Sequence, residues 1–306
     1  MKTLVFGKTG QLAKAFQDLM PPTADTFYAD RRICELSNQY QITQLLEQFR
    51  PDVIINTAAF TAVDLAESEI NHAFAINAIA PELMAEYAKK NQAIFLHYSS
   101  DYVFDGTKSS PYIETDRTNP LSQYGKSKCA GEEAIQAIFS SHEEKMPYYI
   151  LRTSWVYGQG SNFIRTILRL AKEKSELKVV SNQFGAPTSA EWLAELSLAL
   201  INFDGGVRPK SGIYNAVPQG EVSWYGLACF VMKEAIDLGV KLNVQPEAVI
   251  AGPASAYPLP APRPLNSRMS THKLKHALKT HSELLQIEWQ VLVKKYLTQL
   301  HRQGLV

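Results

Sequence analysis

The sequence predicts an α/β chain, and two observations carry that expectation. Short apolar runs alternate with helical patterns through roughly the first half, as in a parallel sheet covered by helices. A glycine turn also sits between the first strand pattern and the first helix pattern, where doubly wound sheets bind phosphate. The architecture these specify is a Rossmann-type doubly wound parallel sheet with a smaller α/β substrate-binding domain. The nucleotide-binding domain is expected over 1–154 and the substrate-binding domain mainly over 155–306, with some later segments returning to the sheet.

Each element follows from local pattern. Leu4-Val5-Phe6 reads as a buried strand, and Gln11 to Met20 as a helix stopped by Pro21-Pro22. Thr26 to Ala29 is a second strand, Ile42 to Phe49 a helix, and Asp52 to Asn56 a third strand opened by Pro51. Helices are expected at Glu67–Asn77 and Pro81–Asn91. The run Ala93 to Tyr98 is continuous and apolar, as a strand buried on both faces must be. Leu121–Phe139 is helical in pattern and Tyr148 to Leu151 is another strand. Beyond it, helices are expected at Phe163–Lys174, Ala190–Asn202, Ser223–Leu238 and Ser282–His301. Val249 to Arg268 is rich in Pro, Ala and Ser, which suits either a linker or a stiffened binding loop.

Composition removes several classes of function. With 45% hydrophobic and 20% charged residues among 306, the chain has ample core and no signature of disorder. Thirty-one Lys and Arg against 30 acids leave no global field for nucleic acid or an acidic membrane, so neither is expected as a partner. Cys34, Cys129 and Cys229 lie far apart without CxxC spacing, which argues against a disulfide framework and a zinc knuckle. Only three consecutive apolar residues precede Gly7, too few for a secretory signal, and the compartment expected is the cytoplasm.

Gly7-Lys-Thr-Gly-Gln-Leu-Ala13 has the spacing GxxGxxA, looser than GxGxxG, and lacks the Gly-Lys-Ser/Thr of a P-loop. Its glycines permit close backbone approach to a pyrophosphate, and the helix that follows presents its positive end. The bland alternative is a tight turn with no ligand. Asp30 ends the second strand about twenty residues later, where an acid accepts from the adenosine ribose. Arg31 and Arg32 follow and suit a 2′-phosphate instead. Both readings stay open at this point, with NADPH favoured and NADH the alternative.

Tyr124 and Lys128 are four apart, so on a helix they share one face, and an ammonium beside a phenol lowers its pKa toward neutrality. Most such pairs are merely a tyrosine and a solvated lysine. Ser99-Ser100-Asp101 follows the fourth strand, at the sheet edge where ligands bind, and supplies a hydroxyl for a substrate carbonyl.

With these residues in place the chain resembles the extended short-chain dehydrogenase/reductases, in their branch acting on dTDP-4-keto-6-deoxysugars. The matching segments are Phe6-Gly-Lys-Thr-Gly-Gln, Pro51-Asp-Val-Ile-Ile-Asn-Thr-Ala-Ala, Thr61-Ala-Val-Asp-Leu-Ala-Glu and His97-Tyr-Ser-Ser-Asp-Tyr-Val-Phe-Asp-Gly. Pro120-Leu-Ser-Gln-Tyr-Gly-Lys-Ser-Lys, Arg152-Thr-Ser-Trp-Val-Tyr-Gly, Gln183-Phe-Gly-Ala-Pro-Thr and Arg263-Pro-Leu-Asn-Ser-Arg continue it almost to the end.

The resemblance implies NAD(P)H-dependent reduction of the C4 ketone of dTDP-4-dehydro-L-rhamnose to dTDP-L-rhamnose, for surface polysaccharide. It implies Tyr124 as proton donor, Lys128 on the nicotinamide ribose and Ser100 on the carbonyl. Gly7, Gly10, Gln11 and Leu12 would line the pyrophosphate, and Asp30 with Arg31 the adenosine ribose. Glu35 and Leu36 would flank the adenine; Ala58, Ala59 and Thr61 the cofactor's middle; and Tyr98 the nicotinamide side. Val63, Ser100, Asp101 and Trp155 would touch the sugar nucleotide, and Arg263, Asn266 and Arg268 its diphosphate. For Trp155 and the arginines, core packing and a structural clamp are the competing readings.

Some members bind magnesium between subunits through acids. Glu191 keeps one such position, but Ala15 stands at the helix-1 position, so no essential metal is expected. A homodimer remains compatible with this. His272 and His276 lack a third ligand at matching spacing and read as a solvated face. The resemblance also admits a reductase of another dTDP-4-keto-6-deoxysugar. A third possibility is a non-catalytic regulatory subunit like the methionine adenosyltransferase β subunit.

Overall fold

The computed structural model describes residues 1–140, 147–202, 208–278 and 283–306. Its centre is a six-stranded sheet built from β1 (Thr3–Phe6), β2 (Thr26–Ala29), β3 (Val53–Asn56), β4 (Ile94–Ser100), β5 (Tyr148–Thr153) and the strand Gly212–Asn215. From one edge to the other the order is Gly212–Asn215, β5, β4, β3, β1, β2, and every pairing is parallel. The direction of winding reverses between β1 and β3, so a crevice opens there at the carboxyl ends of the strands.

Alternate strand residues bury against opposite layers. Val5, Ile55, Leu96 and Leu151 share a core with α1 (Gln11–Leu19). Leu4, Ile54, Phe95 and Ile150 pack instead with α2 (Gln39–Phe49). Both faces being covered explains why the strands read as nearly continuous apolar runs.

The helical stretches expected at 67–77 and 81–91 are one continuous path. It begins with a 3-10 turn Leu65–Glu67, continues as α3 (Ile70–Phe74), widens to a π-turn Ala75–Ile79, and runs into α4 (Ala80–Asn91). The widening coincides with the buried side chain of Asn77. It accepts from the Phe60 N–H at 2.8 Å and donates to the Phe60 carbonyl at 3.1 Å and to Ser127 Oγ at 2.9 Å. Strand β4 runs two residues past the expected end, because Ser99 and Ser100 pair with Arg152 and Thr153 of β5. Helix α5 (Gln123–Ile138) then leads back toward β5, its N-terminus capped by Ser122.

The second half both extends the sheet and builds beside it. Between α6 (Phe163–Glu173) and α8 (Trp224–Asp237) lies a separate small core containing Leu177, Val179, Val244 and Val249. By contrast, α7 (Ala190–Ile201) packs on α1, and the strand Gly212–Asn215 completes the sheet. The Pro-rich stretch is ordered rather than a free linker: Ile250–Gly252 pairs with Lys178–Val180, and Tyr112 N–H donates to the Arg268 carbonyl. After the short α9 (His272–Ala277) comes α10 (Trp289–Arg302), which begins later than expected. Residues 284–286 form a 3-10 turn, and Gln219 pins the chain by bonding both the Ile287 carbonyl and the Trp289 N–H. Ser282, the expected start of that helix, lies outside the described residues.

Arg152 of β5 and Glu132 of α5 form a bidentate ion pair at 2.9 and 2.6 Å, with both side chains almost wholly out of water. Arg152→Ala would strand a buried carboxylate, so unfolding free energy should fall by about 3–5 kcal/mol, read from urea denaturation.

Candidate functional site

A groove of about 480 Å³ lies over the crevice between β1 and β3. One end is built by the glycine turn. Gly7 has φ +94°, and a Cβ there would stand 2.8 Å from Thr57 Oγ1 and 2.9 Å from the Ala58 nitrogen. The turn closes through Gly10 N–H on the Gly7 carbonyl at 2.8 Å. Gly10 caps α1 without a side-chain acceptor, and the first turn of α1 holds no acid. The cap boxes of α5, α6, α7 and α8 are by contrast filled by Ser122, Asn162, Ser189 and Ser223. Leading N–H groups of α1 therefore face the groove with nothing negative beside them, a fit for a pyrophosphate.

The groove brings together every residue expected at the cofactor. Gly7, Gly10, Gln11 and Leu12 form its floor; Asp30, Arg31, Glu35 and Leu36 one end; Ala58, Ala59 and Thr61 its wall. Tyr98, Tyr124 and Lys128 line the other end. At the Asp30 end the arginines divide their work. Arg32 donates from its backbone and guanidinium to the two carboxylate oxygens of Asp30, each at 3.0 Å, and holds that carboxyl below its ordinary pKa. Arg31, which lines the groove, reaches Glu35 at 3.2 Å and is largely exposed.

At the other end, Tyr124 and Lys128 lie one turn apart on α5. Burial pushes the Tyr124 phenol up to about 12, a hydrogen bond with Ser100 pulls it down, and Asp101 raises it further. The expected lowering by Lys128 is not what this geometry gives. The amine turns inward, donating to the Tyr98 carbonyl at 2.6 Å and standing 3.2 Å from His97 Nε2, and burial lowers it to about 8. Ser100 stands behind the groove. Its hydroxyl donates to Asp101 Oδ1 at 2.9 Å and accepts from the Tyr102 N–H. Burial raises Asp101 to about 6, against the opposing bonds from Ser267 and Ser100.

The residues expected at the sugar nucleotide do not line this groove; they gather beyond its Tyr124 end, and the arginines there are engaged by protein groups. Arg263 makes a bidentate pair with Asp64 at 2.9 and 2.7 Å, next to half-buried Val63. Asn266 donates to the Lys108 and Ser110 carbonyls and accepts from Arg268, whose guanidinium also reaches the Ser109 carbonyl and Glu221. Trp155 has φ +49°, rare for a bulky residue, and stacks on Trp224 with centroids 3.6 Å apart.

Several residues at or near the groove were assigned no role by the motif reading. Ser99 and Thr153 both reach the groove, and each keeps a buried hydroxyl without a protein partner. Each also lies at or beside the carboxyl end of its strand, a signal available in the sequence. Tyr102, whose ring meets Tyr124 edge-on at 5.6 Å, lay within a matching segment but was given no role, and Trp224 had no motif to mark it. Among the described residues no group of three or more His, Cys, Asp or Glu is arranged to hold a metal ion. Glu191 is taken up by Lys295 at 2.6 Å, and His272 and His276 are exposed.

Residues 1–302 match the family described as RmlD substrate binding domain. The chain is 41% identical over 305 residues to the dTDP-4-dehydrorhamnose reductase of Escherichia coli K12, covering 98% of each. Among solved structures, a dTDP-4-dehydrorhamnose reductase from Clostridium acetobutylicum superposes with a TM-score of 0.85 at 33% identity, covering 98% of this chain and 100% of that one. The enzyme of the same name from Bacillus anthracis, solved in complex with NADP, gives 0.83 at 30% identity, covering 98% and 100%. No described helix is long and apolar enough to cross a membrane. The groove, the helix N-terminus that faces it and the Tyr124–Lys128 turn thus occur in a chain that belongs to the RmlD substrate binding domain family.

Proposed function

We propose that the chain is a dTDP-4-dehydrorhamnose reductase, reducing the C4 ketone of dTDP-4-dehydro-L-rhamnose to dTDP-L-rhamnose for surface polysaccharide. The observation that carries this reading is that Tyr124 and Lys128 line the same groove as the glycine turn. NADPH, bound there, supplies the hydride. Residues 1–154 would form most of the cofactor domain, joined by α7 and the strand Gly212–Asn215, and the rest would bind substrate. A cytoplasmic location and a homodimer fit the same reading.

The chain's own residues then have separable tasks. The N–H groups at the start of α1 hold the pyrophosphate, and Ser99 and Thr153 offer unused hydroxyls at the nicotinamide end. Arg32 neutralises Asp30, so the ribose end tolerates a 2′-phosphate, onto which the exposed Arg31 can turn from its surface pair with Glu35; this supports NADPH over NADH. Tyr124 gives its phenolic proton to the developing alkoxide. A phenol held high in pKa stays protonated until the substrate's own charge draws the proton out. Lys128 anchors the ribose, and Ser100 links the phenol to the carbonyl. Asp101 accepts from the sugar, while Val63 and Trp155 pack on it. Arg263, Asn266 and Arg268 exchange some of their protein contacts for the diphosphate when substrate arrives.

The reading is tested by turnover, binding and stability. Mixed with NADPH and dTDP-4-dehydro-L-rhamnose, the protein should consume nicotinamide absorbance, and Tyr124→Phe should lower kcat about 10²–10⁴-fold with dinucleotide affinity kept. Product NMR that gave the other C4 configuration would reassign the sugar. Gly7→Ala, which needs φ +94° and crowds Ala58, should weaken NADPH binding at least about tenfold by calorimetry while the protein stays folded. Asp101 binds its proton more tightly folded than unfolded. Its contribution to stability is therefore full below the ordinary carboxylate range and is lost as pH rises through about 6. Asp101→Asn should flatten urea midpoints across that window.

A further inference from the structure

Behind Lys128 lies a chain of polar side chains to which the reaction above gives no task. Asn56 ends β3, His97 sits opposite it in the register of β4, and Lys128 descends from α5. All three are almost completely buried. Asn56 Oδ1 accepts from the Ala58 N–H at 3.2 Å, which fixes the amide and turns its Nδ2 toward His97 Nδ1 at 3.1 Å. A ring nitrogen that accepts from an amide carries no proton, so the tautomer here bears its hydrogen on Nε2. That Nε2 faces Lys128 Nζ at 3.2 Å, while Lys128 donates to the Tyr98 carbonyl at 2.6 Å.

We infer that His97 is a positioning residue for Lys128: the Asn56–His97 pair fixes where the amine points and presents it with a donor rather than an acceptor. An ammonium in this seat would meet the Nε2 hydrogen head-on, whereas an amine accepts it. The arrangement therefore favours surrender of a lysine proton inside the groove and renders Lys128 responsive to whatever occupies it. Other charges near the pair are few. From α5 itself Glu132 raises the lysine, but Arg152 of β5 holds that carboxylate in a bidentate pair. His97 is kept neutral by burial and then by Lys128. On β4 the neighbouring contacts are neutral: Phe95 stacks on the His97 ring at 6.2 Å, and the Tyr98 phenol bonds Ser197 of α7. Asn56 is the contact from β3 and is also neutral. Tyr124 lines the same groove from α5 as a neutral phenol.

The inference rests on the reductase reading for its kinetic consequence, but its chemistry can be read without turnover. In protein labelled with ¹⁵N-histidine, His97 should show the Nε2–H tautomer across neutral pH, and Lys128→Met should shift its resonances. An Nδ1–H tautomer overturns the inference whether or not the protein reduces anything. In the kinetic arm, Gln at position 97 can place an amide where Nε2 stood and Asn can replace only Nδ1. With melting temperature and dinucleotide affinity as controls, His97→Asn should lower kcat about ten- to a hundredfold and leave the KM for sugar nucleotide little changed. The basic limb of its pH profile should move to higher pH as the lysine holds its proton longer, and His97→Gln should recover much of both. Equal losses in both variants, or an unmoved limb in both, would refute it. Absence of turnover in the parent protein would instead count against the reductase reading alone.

Discussion

Helix α5 must approach the backbone of the turn after β4 and of the π-turn more closely than side chains ordinarily allow, and the geometry of the site follows from that approach. A Cβ at Gly125 would lie 2.3 Å from the Tyr102 carbonyl, and one at Gly131 would lie 2.2 Å from the Asn77 carbonyl. Both residues are helical, so what they supply is room rather than unusual dihedrals. Seated this deep, α5 brings the Lys128 amine onto the Tyr98 carbonyl and carries Tyr124 into the groove over the glycine turn. The π-turn at Ala75–Ile79 belongs to the same contact: from it the Asn77 side chain donates to Ser127 of α5.

Such depth removes charge from water, and the chain meets the cost in two ways. Arg152 and Glu132 satisfy each other through two bonds, a pairing that holds α5 to β5 as well as neutralising both groups. Among the described residues, no carboxylate is at bonding distance of Lys128. Its stabilisation comes from a backbone carbonyl and a histidine, so it is held in place with its charge only weakly supported. Tyr124 and Asp101 are likewise kept toward their neutral forms by burial. The groove thus combines a positive helix end where a phosphate would lie with a neutral, proton-bearing phenol where a carbonyl would be reduced.

Around the Tyr124 end, segments distant in sequence are tied by polar contacts. Asp64 after β3 holds Arg263, and Asn266 spans the Lys108 and Ser110 carbonyls, while the Trp155 ring stacks on Trp224 of α8. Three prolines and an alanine lead into Arg263, and Ala261 donates its N–H to Asp64. The Pro-rich stretch is therefore fixed against the segment after β3, not a free tether.

The sheet, its helices, the glycine turn, Asp30 and the Tyr124–Lys128 pair were legible in the sequence, because each rests on short-range pattern, whereas Glu35, Leu36, Ala58, Ala59, Thr61 and Tyr98 came only with the family resemblance. Strand alternation with helices fixed the order of elements, and glycine spacing and an i, i+4 pair marked the groove from Gly7 to Lys128. Tertiary contact decided the rest. Whether Arg31 or Arg32 covers Asp30 depends on how a turn folds back, and both arginines read alike in one dimension. That Lys128 faces His97 and the Tyr98 carbonyl rather than Tyr124 depends on the depth of α5, set by glycines whose role appears only when another segment's backbone lies against them. Asn56, His97 and Lys128 are separated by dozens of residues and meet because parallel pairing puts the first two in register. Local pattern specifies which groups a strand or helix presents, but what each group meets is fixed by packing between elements that local pattern does not encode.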